Sequence, residues 1–387
     1  MSSGEARSGR VILHVGVPKS GTSFLQATLR ENADRLEAAG VHFPTEQHKG
    51  LFHAALEVTG NHPGWGVPDD RVKGSWARLC RRARRYGGTT VLSNELFSNV
   101  ETAEVPAALK HLEGLDVHLV VTARDLARQL PAEWQEGVKH GRSLRYQRFL
   151  DRVTDPQRTH PHARKFWRHQ DVADLLDRWG RHLPADHVHL VTVPPPGAPR
   201  DLLWRRFCEV VGVDPDVATE EPATGSNVSL GVTAVDVLRR VNGRLRRLED
   251  RPAGLRRTVK QVLVNGALRA DTSPRVSTPD ELLPRLQEIT DGWARRVREA
   301  GYQVVGDLDD LTPRPVSGAA PARPRVQVRE SRDLALDAVA VLTREIALLR
   351  EEVREVEVLR RRVAELESGA PARTRSTLRR LRENRRG

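Results

Sequence analysis

One stretch constrains the fold of this chain more than any other: Val11-Ile-Leu-His-Val-Gly-Val-Pro-Lys-Ser-Gly-Thr-Ser-Phe-Leu-Gln26. Val11 to Val15 is a short apolar run of the kind shown by a parallel strand buried on both faces. Gly16 and Gly21 then bracket a tight loop at the interval of a nucleotide-binding phosphate loop. A helix is expected to begin near Gly21, with Phe24, Leu25, Thr28, Leu29 and Leu36 on one face. The first turn of such a helix leaves free N–H groups and the positive end of its dipole facing the loop, which makes an anion site. Lys19 adds a mobile full charge, and the hydroxyls of Ser20, Thr22 and Ser23 add donors. A loop that holds ATP or GTP would have Lys and then Ser or Thr after its second glycine. Here Thr22 and Ser23 follow Gly21, and the lysine lies inside the loop. That displacement points away from a nucleoside triphosphate. The alternative, an ordinary strand–turn–helix with a solvated lysine, requires strand, glycine spacing, lysine and hydroxyl cluster to coincide.

Pro18-Lys-Ser-Gly-Thr-Ser23 resembles the 5′-phosphosulfate-binding loop of sulfotransferases that use 3′-phosphoadenosine 5′-phosphosulfate (PAPS). The longer string His14–Gln26 is similar to the opening of bacterial members of that superfamily. The resemblance implies that Lys19 contacts the phosphate that becomes the leaving group and that Ser20, Gly21, Thr22 and Ser23 cradle it. It also implies an arginine for the 3′-phosphate at the end of a later strand. Asp116-Val-His-Leu-Val-Val-Thr122 reads as that strand, and it ends at Ala123-Arg124-Asp125 with a helix following through Glu133, Trp134 and Val138. Arg124 therefore resembles the 3′-phosphate arginine, and its planar fork suits bidentate phosphate contact. The chain departs from the family at Ala132, where a serine is usual; Ser143 and the segment Ser226–Gly231 are the alternative sources of a hydroxyl.

Sulfuryl transfer needs a group to take the acceptor's proton in line with the departing phosphate. Open parallel sheets bind ligands beyond the carboxyl ends of their strands. Thr89–Ser93 reads as a short strand with Glu95 just past its end, and the resemblance implies a catalytic glutamate or histidine at about that place. Glu95 is the first candidate for the base, with a salt-bridged surface carboxylate as its plain alternative. His14, inside the first strand, is the second. Lys139 and His140 read equally as acceptor contacts or as a solvated helix face. No metal is expected. His160-Pro-His162 and His187-Val-His189 are only pairs, without nearby cysteine or carboxylate at ligand spacing, and Cys80 and Cys208 form no CxxC pattern. A sulfuryl group carries less charge than a terminal phosphoryl group, so Mg²⁺ is not required.

Strand and helix alternate from residue 11 to 311, which predicts an α/β domain: a P-loop-type parallel sheet flanked by helices. Strands are expected at 11–16, 41–43, 89–93, 116–122 and 187–193. Helices are expected at 71–86, 230–248, 254–269 and 279–300, and residues 301–311 close the domain. Residues 1–10 read as a disordered N-terminus and the proline-rich 312–333 as a linker. Over 334–368, Val339, Ile346 and Val353 fall at heptad position a and Leu342 and Leu349 at d, which predicts a coiled-coil helix and a parallel homodimer. Arg360 interrupts the seam at the next a position; an amphipathic helix packed on its own domain is the alternative. The tail 369–387 carries seven arginines and one acid, Glu383, which predicts either a solvated disordered tail or a handle for an anionic surface or polymer.

Of 63 basic residues only seven are lysines, a bias of the kind a GC-rich bacterial genome produces, so the net charge of +12 does not by itself argue for nucleic acid. No apolar stretch reaches membrane-spanning length and no signal-peptide pattern opens the chain, so a cytoplasmic location is expected. The expectation that follows is a PAPS-dependent sulfotransferase, with the desulfonated bisphosphate PAP as product and a hydroxyl or amine of a small molecule or glycan as acceptor. Its rivals are a non-catalytic sulfotransferase-like scaffold and a small-molecule kinase that needs ATP and Mg²⁺.

Overall fold

A computed structural model describes residues 9–44, 48–219, 229–248, 255–316 and 327–369. Six strands form one sheet: β1 (Arg10–His14), β2 (Val41–His42), β3 (Thr89–Ser93), β4 (Asp116–Ala123), β5 (Val188–Thr192) and β6 (Gln303–Val305). Every pairing is parallel and the spatial order is β2-β3-β1-β4-β5-β6. Parallel strands need crossovers, and here they are helical, so helices flank the sheet and its strands are buried on both faces. Val11, Ile12, Leu13, Val91, Leu92, Leu119, Val120 and Val121 are all fully buried. From β1 the chain passes to the edge strand β2 and back to β3 on one side, then outward through β4, β5 and β6 on the other. The carboxyl end of β1 is therefore the topological switch point, where open α/β sheets bind ligands.

Several elements depart from the sequence reading, each for a local reason. Arg10 belongs to β1 instead of a frayed N-terminus, and its guanidinium lies 3.7 Å from Asp116 on β4. The helix that follows the loop is two pieces, Thr22–Glu31 and Ala33–Ala38. Asn32 breaks it: its Nδ2 donates to the Thr28 carbonyl at 2.9 Å, competing with the helix backbone. The basic helix expected at 71–86 starts at Ser75, because Gly74 takes a φ of 73° and the Glu57 carboxylate, from another helix, accepts from the amides of Gly74 (2.5 Å) and Trp76 (2.8 Å). The helix expected at 254–269 divides into an α-turn at Leu255–Thr258, a π-helical turn at Val259–Val264 and a 3-10 turn at Ala267–Ala270. β6, read only as a closing segment, is three residues long, too short for a period-two pattern; the open edge of β5 makes it a strand, with Leu190 opposite Val304.

The C-terminal helix runs from Val328 to Gly369 and so begins inside the stretch read as linker. Its first turns lie against the helix Val232–Leu245 and the π-helical and 3-10 turns. Ala338 is buried there and Leu334, Ala335, Val341 and Leu342 are partly buried, so Leu342 serves this docking face. Val339, Ile346, Leu349 and Val353 are all at least half exposed. The tail 370–387 lies outside the described residues.

Because Ile12 is fully buried in the central strand, Ile12→Ala removes core volume that its neighbours cannot refill. Urea unfolding is expected to show a loss of about 2–5 kcal/mol, with the slope of the transition unchanged.

Candidate functional site

The loop at the end of β1 begins as a continuation of the sheet. The Val15 amide donates to Val120, Thr122 donates to the Gly16 carbonyl and Val17 donates to Thr122, at 3.0, 2.7 and 2.8 Å. Gly16 has a φ of 109°, and a Cβ there would lie 3.5 Å from Glu95 Cα, so the backbone of Glu95 packs directly on the loop. Gly21 caps the following helix at a φ of 84°, and the space its Cβ would need is filled by Leu203. Lys19 also lies in the left-handed region, at a φ of 67°. That is uncommon for a residue with a side chain and tends to mark functional loops.

A buried file of side chains supports this loop from below. His14 is fully buried, with Nδ1 2.8 Å from Ser93 Oγ and Nε2 3.1 Å from Thr122 Oγ1. Thr122 Oγ1 is 2.6 Å from Ser20 Oγ, which donates to the Val17 carbonyl at 2.5 Å. Gln26 Nε2 donates to Ser93 Oγ at 3.2 Å. One proton order satisfies every member: Gln26 to Ser93, Ser93 to His14 Nδ1, His14 Nε2–H to Thr122, Thr122 to Ser20, Ser20 to Val17. It requires neutral His14, and burial pushes the imidazole down to about 3. His14 is thus a structural residue with both ring nitrogens engaged, and Ser20, expected as a ligand donor, spends its hydroxyl beneath the loop. Thr22 is buried as well, while Ser23 is exposed at the start of the helix.

Above the loop, Lys19 Nζ donates to Glu136 Oε2 at 2.6 Å. Glu136 comes from the helix Leu126–Lys139, whose first turn is capped by Asp125 accepting from the Arg128 amide at 3.0 Å. Glu133, one turn earlier, lies 3.5 Å from His169 Nε2, and Glu136 also lies 3.3 Å from His140 Nε2. Burial alone would raise both carboxyls, but their cationic neighbours outweigh it and hold them below the usual range. For Glu133 these are His169, Lys19 and Arg142; for Glu136 they are led by Lys19. Buried Lys139, beside Lys19 and Lys260, is pushed down to about 8, mainly by burial and against the pull of Glu136.

Arg124 stands where the sequence put it, just past the end of β4. Its fork is turned into the following helix: Nε donates to Gln129 Oε1 at 3.1 Å and a terminal nitrogen donates to the Arg128 carbonyl at 3.0 Å. Burial and the adjacent Arg128 lower it to about 10, against the pull of Asp125. Gln129 Nε2 also donates to the Pro18 carbonyl and to Gln170 Oε1 (2.7 Å), so Gln129 bridges Arg124 to the loop. Glu95 is held by Gln26 Nε2 at 3.3 Å. Of the alternative hydroxyls, Ser143 lies beyond the far end of the helix, Ser229 is exposed, and Ser226 is outside the described residues.

Sequence reasoning missed Gln26, Gln129, Glu133, Glu136, His169 and Gln170. A signal was present for three of them: Gln129, Glu133 and Glu136 fall at i, i+4 and i+7, one face of the helix that Arg124 precedes. At the opposite, amino-terminal edge of the sheet, strand pairing brings Asp116 and His118 to His187 and His189, a pair read in sequence as lacking a nearby carboxylate. His118 Nε2 and His187 Nδ1 lie 3.2 and 3.4 Å from Asp116 Oδ1. These three ligand-type atoms lie within 4.8 Å of one another, but Arg10 already places positive charge on the same carboxylate. His118 Nδ1 is 2.9 Å from His189 Nε2, and burial, with His118 and Arg10, lowers His189 to about 4.

Comparison of the chain with protein-family models, with curated proteins and with solved structures returns no match.

His14 and His189 titrate near 3 and 4 when folded and near 6.5 when unfolded. The unfolded chain therefore binds more protons below neutrality. Stability is full above about pH 6.5 and falls with pH below that, by up to about 1.4 kcal/mol per pH unit per group. Melting curves from pH 7.5 to 4.5 are expected to show this fall, with a shallower slope in His14→Gln, whose amide can still bridge Ser93 and Thr122. An equal slope in both proteins would contradict a neutral buried His14.

Proposed function

We propose that the chain is a PAPS-dependent sulfotransferase, acting on a hydroxyl or amine of a small-molecule or glycan acceptor in the cytoplasm. The observation that carries this reading is the glycine-bracketed loop with Lys19 inside it, set at the switch point of a parallel sheet and leading into a helix N-terminus. Such a loop offers backbone N–H groups and one mobile charge to a phosphate without a metal. PAPS would supply the sulfuryl group, with PAP as the leaving group. Lys19 and the first-turn amides would hold the 5′ end and stabilise charge developing on the leaving oxygen. Glu95, seated on Gly16 and held by Gln26, would accept the acceptor's proton. Among the described residues no helix is long and apolar enough to cross a membrane.

The two cationic handles fit the donor unequally. Lys19 has only to exchange the Glu136 carboxylate for the 5′-phosphosulfate. Arg124 has to release Gln129 and the Arg128 carbonyl before its fork reaches a 3′-phosphate. That engagement, with Ala132 in place of serine, favours a second reading, a non-catalytic scaffold that has kept the fold. Calorimetric titration with PAP in metal-free buffer separates them. Wild type is expected to bind in the micromolar range, Lys19→Ala and Arg124→Ala about tenfold or more weaker, and Glu136→Gln more tightly because the competing carboxylate is gone. Silence toward PAP supports the scaffold, and binding of ATP with Mg²⁺ instead supports a kinase.

The exposed a and d residues of the C-terminal helix suggest a homodimer joined through Ile346, Leu349 and Val353. Light scattering is expected to give a dimer for the full chain and a monomer for Ile346→Glu/Val353→Glu, which leaves the docked turns before residue 345 intact. A monomeric wild type ends this part of the proposal.

A further inference from the structure

Beyond the far end of the Leu126–Lys139 helix lies a cavity of about 460 Å³ whose lining is dominated by Arg142, Arg145, Arg148, Arg152, Arg239 and Arg246. Two helices, and the loop that leads from Lys139 into the first of them, supply these arginines. Arg145, Arg148 and Arg152 recur at i, i+3 and i+7 along the start and length of the helix Tyr146–Val153, opposite its buried face of Tyr146, Phe149, Leu150 and Val153. Arg239 and Arg246 are seven apart on the helix Val232–Leu245 and its C-cap. Asn242 ties the two walls together, its Nδ2 donating to the carbonyls of Val138 (2.7 Å) and Arg142 (3.0 Å). Arg142 lies across Gly137, where a Cβ would sit 2.9 Å from its Cδ, so the absence of a side chain there gives the arginine its path.

Most of the charge around this cavity has no ion-paired carboxylate among the described residues. Among the described residues no carboxylate lines it, and only Arg239 of the six is ion-paired, with Asp236 at 2.6 Å. Arg152 donates to His162 Nδ1 at 2.8 Å, which requires the imidazole to accept and so to be neutral there; burial, Arg142 and Arg152 all lower it. Like charges gathered in a concavity repel one another, and a counter-charge that enters it stabilises the arrangement. Guanidinium forks match phosphate and sulfate oxygens in pairs. Leu144 is the one apolar side chain of the lining and no Phe, Tyr or Trp contributes, so nothing here suits an aromatic or steroid-like ligand. The volume is that of a small-molecule site.

We propose that this pocket is a binding site for a compact polyanion carrying two or more phosphate or sulfate groups. It is separate from the Lys19 loop, and the proposal does not rest on the sulfotransferase reading.

The test is calorimetric titration of the full chain with inorganic tripolyphosphate and, separately, with a trisulfated heparin-type disaccharide, at physiological salt. The variants are Arg145→Ala/Arg148→Ala, both exposed in the wild type, and the control Arg82→Ala on the remote Ser75–Tyr86 helix. Saturable binding of at least one probe is expected, about tenfold or more weaker in the double variant and unchanged in the control. Which probe binds tells a phosphorylated source from a sulfated one. PAP titrations run in parallel should be unaffected by the double variant, and Lys19→Ala should leave probe binding unchanged. The proposal is overturned by probe binding that the double variant leaves intact, which would assign it to the basic tail or to general surface charge. It is overturned equally by the absence of saturable binding of both probes, or by loss of PAP affinity in the double variant, which would make the pocket part of one nucleotide site. Circular dichroism and a melting curve for the double variant separate lost binding from lost folding.

Discussion

A file of hydrogen bonds from Gln26 through Ser93, His14, Thr122 and Ser20 to the Val17 carbonyl holds the three central strands and the loop in one arrangement. It is expensive to bury and tolerable only because every donor meets an acceptor. With His14 neutral the proton order closes without a gap; with His14 charged, Ser93 Oγ would have to accept from the ring and its own proton would lose the acceptor it has in that order. The loop's shape follows from this support. Ser20 is pinned below, so Lys19 is displayed above, and Gly16 and Gly21 absorb the turns that result.

Electrostatics above the loop are balanced where those of the neighbouring pocket are not. Lys19 faces Glu136, His169 faces Glu133 and Arg124 is satisfied by Gln129 and a carbonyl, so each group has a partner that a ligand would have to displace. A ligand anion at Lys19 therefore gains only the difference between its own contact and that of Glu136, because the carboxylate it displaces must be solvated again. Five of the six pocket arginines have no such competitor among the described residues. The two regions share the Leu126–Lys139 helix and its continuation, which makes that helix the organiser of the carboxyl-terminal face of the sheet.

The central strands, the loop and the start of its helix were legible because each is specified locally: a continuous apolar run for a strand buried on both faces, glycines where φ turns positive, an apolar stripe at helical spacing. Glu95 and Arg124 were legible as positions for the same reason, since each follows the end of a recognisable strand. The partners of these residues were not legible. Glu136 lies 117 residues from Lys19, Ser93 79 residues from His14 and Thr122 102 residues from Ser20. Nothing within a helical or strand period signals a contact at those separations. Elements whose form depends on a neighbour were missed likewise: β6 exists because β5 has an open edge, and the helix start at Ser75 depends on Glu57.

What the sequence by itself determined is the alternation that builds a parallel sheet, the place of the glycine-bracketed loop in it, and the heptad spacing of the C-terminal helix. These follow from backbone geometry and apolar periodicity, which act over a few residues. Only the tertiary structure decided that Ser20 serves the interior, that Lys19 is matched with Glu136, that Asp116 meets His118 and His187, and that six arginines from separate segments share one cavity. The physical reason is that charge and hydrogen bonding are settled between surfaces that the fold brings together, and those pairings have no period along the chain.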